Sequence, residues 1–238
     1  MLWHKAWLET RARFMVCLGL LTIPPCWFWI KLPDGLNEST VYYRVIFENQ
    51  TLAVGIWIVA ALFLGLGGLL RERATGSSAF TLALPVGRAR LIGVRVGMGV
   101  LELIALAAWP WLANFLISWV RETPFSVPQA ACCIAVLVAC GLNYLALASL
   151  VSSMIEGEYT AALTALGTVI VVLVTVVASE WDRGLDFLMT ILGGECFERE
   201  TYLFPGVASL QWTTMFYSVV MAAAMILAAI VITRQKDF

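Results

Sequence analysis

The sequence predicts an all-α integral membrane protein with six transmembrane helices and both termini in the cytoplasm. Hydrophobic residues make up 61% of its 238 residues and charged residues only 13%, whereas soluble domains carry about 25% charged residues. The apolar residues form six runs long enough to cross a hydrocarbon core of about 30 Å. Lys and Arg concentrate on one side of these runs, and the positive-inside rule assigns that side to the cytoplasm.

Charged or proline-containing segments separate the six apolar runs. The first run follows residues 1–13, whose tryptophans and basic residues suit a helix lying in the inner interface, or simply a basic flank. Pro24 and Pro25 lack backbone donors, so we expect them to kink the first span or to end its regular helix. The predicted spans are residues 14–30, 52–70, 91–120, 129–154, 159–179 and 213–233.

Two connecting segments are long enough to hold structure of their own. Residues 71–90 join spans two and three, and their arginines outnumber their single acid, so they are predicted to lie in the cytoplasm. Residues 180–212 are rich in acids and are predicted to be an extracytoplasmic segment with short outer helices between spans five and six. The whole chain is therefore expected to form one transmembrane domain.

A short cytoplasmic helix is predicted over residues 76–85. Gly76 offers a break, Ser77 an N-cap, and Pro85 an end to the helix. Phe80 and Leu84 place an apolar patch on it. A cytoplasmic helix too short to cross the membrane needs a surface to receive that patch, and composition alone favours the lipid headgroups.

The spacing of Glu72, Gly76, Pro85, Arg88 and Arg95 resembles a signature of ATP-binding-cassette (ABC) type-2 transporter permeases. That family reads Glu-x-x-x-Gly-Thr, then Pro-x-Ser-Arg, then Lys, after its second membrane helix. This chain has Gly-Ser for Gly-Thr, Pro-Val-Gly-Arg for Pro-x-Ser-Arg, and Arg for Lys. The resemblance covers residues 72–95 as a motif and extends to the six spans and the long outer segment as architecture.

The resemblance implies a membrane-spanning permease subunit, not catalytic by itself, of an ABC exporter. Such a subunit pairs with a second copy or a homologous permease, and cytoplasmic ABC ATPase subunits, usually two, bind the ATP and magnesium. Separately, the scarcity of charge inside the spans fits an apolar or amphipathic cargo. The residues that would form the coupling helix docked on the ATPase are Glu72, Gly76, Ser77, Phe80, Leu84, Pro85 and Arg88.

The sequence is consistent with a permease whose ATP-binding subunits are separate chains. It contains no Gly-x-x-x-x-Gly-Lys-Ser/Thr loop that would cradle phosphates, so we expect no nucleotide, cofactor or metal bound to this chain and no nucleic-acid partner. The lipid bilayer of the plasma membrane, the inner membrane in a bacterium, is the expected location. Residues 180–212 are a candidate surface for an extracytoplasmic partner.

Polar side chains inside the predicted spans are the candidate site residues within the membrane. Glu102 is the one acid deep in a span, and either it leans toward Arg95 or a polar group on a neighbouring helix, or it serves a substrate path or gate. Threonines on one face of span five either pack or line a cavity, and the two asparagines join helices or contact substrate. These candidates are Glu102, Asn114, Asn143, Thr164 and Thr168.

Three other functions compete with the transporter hypothesis. A permease-like anchor would transmit ATPase motion to an extracytoplasmic partner without moving a solute. A proton-coupled secondary carrier would use Glu102. An intramembrane enzyme is disfavoured, because the single histidine, His4, lies on the inner flank and Glu102 has no second intramembrane acid.

Overall fold

A computed structural model describes residues 2–31, 50–66, 88–121, 127–155, 158–178 and 212–235. The described residues form six helices, which confirms the all-α prediction for them. The helices are α1 (Leu2–Lys31), α2 (Gln50–Gly65), α3 (Arg88–Arg121), α4 (Val127–Met154), α5 (Glu158–Ala178) and α6 (Trp212–Gln235). The predicted coupling helix (residues 76–85) and nearly all of the predicted outer segment (residues 180–212) lie outside the described residues.

Three of the described helices are long and apolar enough to cross a membrane: Arg90–Val120, Ala130–Met154 and Met215–Thr233. Two shorter apolar helices, Gly55–Gly65 and Thr160–Val171, accompany them. These five segments coincide with five of the six predicted spans, with Arg90–Val120 beginning one residue before its span. Long runs of Leu, Val, Ile and Ala with few charges favour helices that can bury their surface in lipid or protein.

The first helix is longer than predicted. Residues 1–13 were expected to be an interfacial helix or a basic flank, and Pro24 and Pro25 to kink span one or to end its regular helix. The helix does not end at the prolines, because α1 is one helix of 30 residues that includes both. Proline within a helix is tolerated in apolar surroundings where neighbouring groups satisfy the freed carbonyls, and α3 likewise continues through Pro110.

Helix α4 lies at the centre of the bundle and contacts α2, α3, α5 and α6. In the apolar stretch of α4 (Ala130–Met154), 56% is buried inside the protein, whereas in that of α6 (Met215–Thr233) the buried share is 17%. Its buried face contains small residues, including Ala139, Ala146 and Ala148. Small side chains let neighbouring backbones approach closely, so α4 can hold four helices at once.

Contacts between glycines and facing residues fix the direction of α3 relative to α4. A Cβ on Gly141 would lie 3.1 Å from Leu103, and a Cβ on Gly99 would lie 3.1 Å from Leu145. As residue numbers rise along α4 they therefore fall along α3. The two helices are antiparallel.

Helix α2 runs in the same direction as α4. Trp57 packs on Gly141, with 2.9 Å between the ring and a Cβ built on that glycine, and Gly65 packs on Leu145 and Ala148. Helix α1 runs parallel to α3, because Trp3 covers Gly97 and Thr10 contacts Glu102. It follows that α1 and α3 begin at the end of the bundle where α2 and α4 finish.

The last helix also runs parallel to α4. Met215, near the start of α6, packs against Cys133, Val136 and Cys140 in the first half of α4, and α4 and α6 make the most extensive helix pair of the described residues. If α6 ran antiparallel to α4, it would pass the beginning of α4 soon after Met215 and could not contact it along most of its length. Leu2 and Gln235 therefore lie at the same end of the bundle.

Gly65 provides the closest backbone approach between α2 and α4. A Cβ at this position would lie 2.4 Å from the carbonyl oxygen of Leu145 and 2.7 Å from the Cβ of Ala148. Real side chains do not approach this closely, so any larger residue at position 65 must push the two helices apart. Gly55, earlier in α2, has nothing within 4 Å of such a Cβ.

We expect Gly65→Ala to destabilise the bundle by about 1–3 kcal/mol through overpacking. Gly55→Ala is the matched control and should be neutral or stabilise α2 by up to about 1 kcal/mol, because alanine is the better helix former. Denaturant unfolding of the purified chain in mild detergent measures both. Equal effects of the two substitutions would contradict the close α2–α4 contact.

Candidate functional site

One face of α1 packs into the bundle and carries a polar residue among apolar ones. Its buried residues recur at helical spacing: Ala6, Thr10, Phe14, Cys17 and Leu21. Thr10 is 6% exposed, and Arg13 lies beside this face, only partly buried. Because polar groups in an apolar interior need hydrogen-bond partners, the contacts of Thr10 and Arg13 determine how α1 is held.

Thr10 meets Glu102 of α3 inside the bundle. The Thr10 hydroxyl and the Glu102 carboxyl are within hydrogen-bond distance, and both residues are buried, with Glu102 3% exposed. Thr10 Oγ1 also lies 3.1 Å from the carbonyl oxygen of Ala6, one turn earlier. The polar partner expected for Glu102 on a neighbouring helix is therefore Thr10.

Arg13 binds the carboxyl end of α2. Its guanidinium Nη1 donates to the carbonyl oxygen of Leu66 and reaches that of Phe63 at 3.4 Å. The last carbonyls of a helix have no partner within it, and a cation beside them is also favoured by the helix dipole. Arg13 thus caps α2 from α1.

A serine of α4 contacts the same end of α2. Ser149 Oγ lies 2.8 Å from the carbonyl oxygen of Leu145 in its own helix and 3.3 Å from that of Gly65. Its one hydroxyl hydrogen is therefore directed mainly at Leu145, and Arg13 is the principal donor at the end of α2.

The start of α3 is bound to α1 by an ion pair. Arg95 Nη2 lies 2.5 Å from Glu9 Oε2, and Lys5 lies 3.7 Å from the other oxygen of Glu9, one turn earlier on α1. The side chains of Glu9 and Arg95 are 31% and 24% exposed. Partial burial and direct contact make this pair stronger than a fully solvated one.

These contacts form one set, here called the α1 joint: Glu9, Thr10 and Arg13 with their partners Arg95, Glu102 and Leu66. The joint binds α1 both to the last described residue before the 67–87 segment and to the second turn of the helix that follows it. The first four turns of α1 therefore bind the residue before that segment and the second turn of the helix after it. Through these contacts the joint connects α1, α2 and α3.

Most predicted coupling residues fall in the 67–87 segment and so lie outside the described residues: Glu72, Gly76, Ser77, Phe80, Leu84 and Pro85. Arg88 is the first residue of α3. Arg95, the last residue of the motif, belongs to the α1 joint. The alternative in which Arg95 pairs with Glu102 is wrong, because Arg95 binds Glu9 and Glu102 forms no ion pair among the described residues.

The other predicted membrane-embedded residues lie on three different helices. Asn114 is 7% and Asn143 2% exposed, in α3 and α4. Thr164 and Thr168 are exposed on α5, and their hydroxyls donate to the carbonyl oxygens of Thr160 and Thr164, each at 2.8 Å. The threonine hydroxyls are thus satisfied within α5, which packs into the bundle through other residues.

The described cysteines form no disulfide with one another. Cys17, Cys132, Cys133 and Cys140 are all free thiols, and three of them are buried. Within the part of the chain that the structure describes, no three His, Cys, Asp or Glu side chains are grouped so that they could hold a metal ion.

No protein-family model, no curated protein and no solved structure matches this chain. The resemblance to ABC type-2 permeases therefore depends on the motif residues and the order of apolar runs alone.

Glu102 and Arg95 could be identified as candidates from the sequence. Their partners, Thr10 for Glu102 and Glu9 for Arg95, were not predicted, and neither was the capping role of Arg13. One signal was available: Thr10 occupies an apolar stripe with Ala6 and Phe14, where a polar residue requires a partner. Nothing in the sequence indicates which helix supplies that partner.

We expect Arg13→Ala to destabilise the chain by about 1–3 kcal/mol, because it leaves the end carbonyls of α2 without their donor. The matched control is Arg11→Ala, since Arg11 is exposed on the same helix and surface substitutions change stability by about 0.5 kcal/mol or less. Detergent-solubilised unfolding measures both variants. Equal losses would contradict a capping role for Arg13.

A second prediction concerns the Glu9–Arg95 pair. Glu9→Arg or Arg95→Glu alone should lower stability by placing like charges together, whereas the double variant should recover most of the loss. The coupling energy in a double-mutant cycle should be roughly 1 kcal/mol and should decrease at high salt. Strictly additive single effects would show that the pair does not join α1 to α3.

Proposed function

We propose that the chain is the membrane-spanning permease subunit of an ABC exporter. The observation that carries the proposal is that described residues on either side of the 67–87 segment, Leu66 and Arg95, both bind α1. This arrangement suits a segment that receives force from outside the membrane. A loosely attached loop would move without displacing the helices.

The distribution of charge supports a cytoplasmic location for that end. Described basic residues at the end where α1 and α3 begin are Lys5, Arg11, Arg13, Arg88, Arg90, Arg95 and Arg234. At the opposite end they are Lys31 and Arg121. By the positive-inside rule, the basic end faces the cytoplasm of a plasma membrane, in a bacterium the inner membrane, and with six spans both termini lie there.

In this proposal, separate ATPase subunits hold the ATP and magnesium and press on residues 76–85 as they close. Arg13 and Ser149 transfer the displacement to α1 and α4 through the end of α2, and the Glu9–Arg95 pair transfers it through the start of α3. Two permeases facing each other would enclose the path of an apolar or amphipathic substrate. The bilayer surrounds them, and residues 180–212 face any extracytoplasmic partner.

The decisive experiment tests the docking of the predicted coupling helix. Tagged full-length chain purified from its own membranes should carry an ATP-hydrolysing subunit, and Phe80→Asp with Leu84→Asp should reduce its recovery at least tenfold, because carboxylates cannot enter an apolar groove without their hydration. The matched control, Phe80→Leu with Leu84→Met, keeps the patch apolar and should retain the subunit.

Two results would contradict the proposal: an ATPase retained by the aspartate variant, or no ATP-hydrolysing subunit with the unaltered chain. Expression and detergent unfolding of both variants establish that the membrane bundle itself is intact.

A further inference from the structure

Glu102 is a buried acid that forms no ion pair with the residues that the structure describes. It is 3% exposed and lies in the candidate span Arg90–Val120. Its single hydrogen bond within the described part of the chain is to Thr10, and its second oxygen, Oε2, is buried without a donor. A carboxylate with one bare oxygen in an apolar interior carries a large desolvation cost.

The hydrogens around Thr10 can be counted. A threonine hydroxyl has one hydrogen to donate and two lone pairs to accept. Thr10 Oγ1 contacts three oxygens that are ordinarily acceptors: one on Glu102, the carbonyl of Ala6 at 3.1 Å and, farther away, the carbonyl of Trp7 at 3.5 Å. The single hydroxyl hydrogen cannot fully serve both Glu102 and the backbone. If Glu102 carries a proton, it donates to Thr10, Thr10 donates to Ala6, and both contacts become hydrogen bonds.

We propose that Glu102 is a neutral carboxylic acid whose proton lies in the hydrogen bond to Thr10 and joins α1 to α3. The site is a proton-binding site formed between two helices. The chain of donors runs from the Glu102 carboxyl to the Thr10 hydroxyl and on to the Ala6 carbonyl. This inference does not depend on the transporter proposal.

The surrounding groups are consistent with a neutral acid. On α1, Arg13 and Cys17 interact electrostatically with Glu102, but the Arg13 guanidinium donates to the carbonyl of Leu66 rather than to the carboxyl. On α3, Arg95 binds Glu9. The described part of α2 has no ionisable residue, and α4 has no Lys, Arg, His, Asp or Glu.

Infrared difference spectroscopy tests the proton directly. The carbonyl stretch of a protonated carboxyl group lies apart from the carboxylate bands, so wild type minus Glu102→Gln at pH 7 should show one protonated carboxyl band that shifts in D₂O. The control is Glu9→Gln, which removes an ion-paired carboxylate and should remove carboxylate bands only. Loss of carboxylate bands alone from Glu102→Gln would overturn the proposal.

A second pair of variants keeps Glu102 and therefore does not depend on the folding of Glu102→Gln. Thr10→Val removes the acceptor of the proton and should move the protonated carboxyl band to higher frequency, whereas Thr10→Ser retains a hydroxyl and should leave it close to its wild-type position. A band that stays in place in Thr10→Val, or a wild-type protein without such a band, would overturn the assignment.

Discussion

The requirement that polar groups inside an apolar bundle find partners determines how α1 packs. An exposed threonine or arginine would be satisfied by water, but Thr10 and the inner part of Arg13 lie against other helices. Leaving one buried polar group unpaired costs about 1–3 kcal/mol, more than most single apolar contacts contribute. The register of α1 against α3 is therefore set by Thr10 and Glu102, with Trp3 over Gly97 consistent with it.

The central position of α4 has a second effect beyond packing. Its small residues and Gly141 admit Trp57 and Leu103 from two different helices, so α2 and α3 meet on the same face of α4. The carboxyl end of α2 is then fixed between Ser149 and Arg13. Packing in the middle of the bundle and hydrogen bonds at its basic end thus restrain the same two helices, α2 and α3. These are the helices on either side of the 67–87 segment.

The positions of the helices could be read from the sequence, because span length and apolar composition are local properties. Span three was expected over residues 91–120 and α3 is Arg88–Arg121; span five was expected over residues 159–179 and α5 is Glu158–Ala178. The continuity of α1 could not be predicted from the sequence, because the effect of Pro24 and Pro25 on a helix depends on their surroundings. The Glu9–Arg95 and Thr10–Glu102 contacts join residues far apart in the chain, and helical periodicity identifies a buried face without naming what it touches.

Because α1 is one continuous helix, a movement of its first turns is transmitted to its far end. A helix of 30 residues is about 45 Å long, while a hydrocarbon core is about 30 Å thick. Its polar contacts lie in its first four turns, and its buried apolar residues continue to Leu21. In a helix of this length, a small tilt of the first four turns would move the far end by a larger distance.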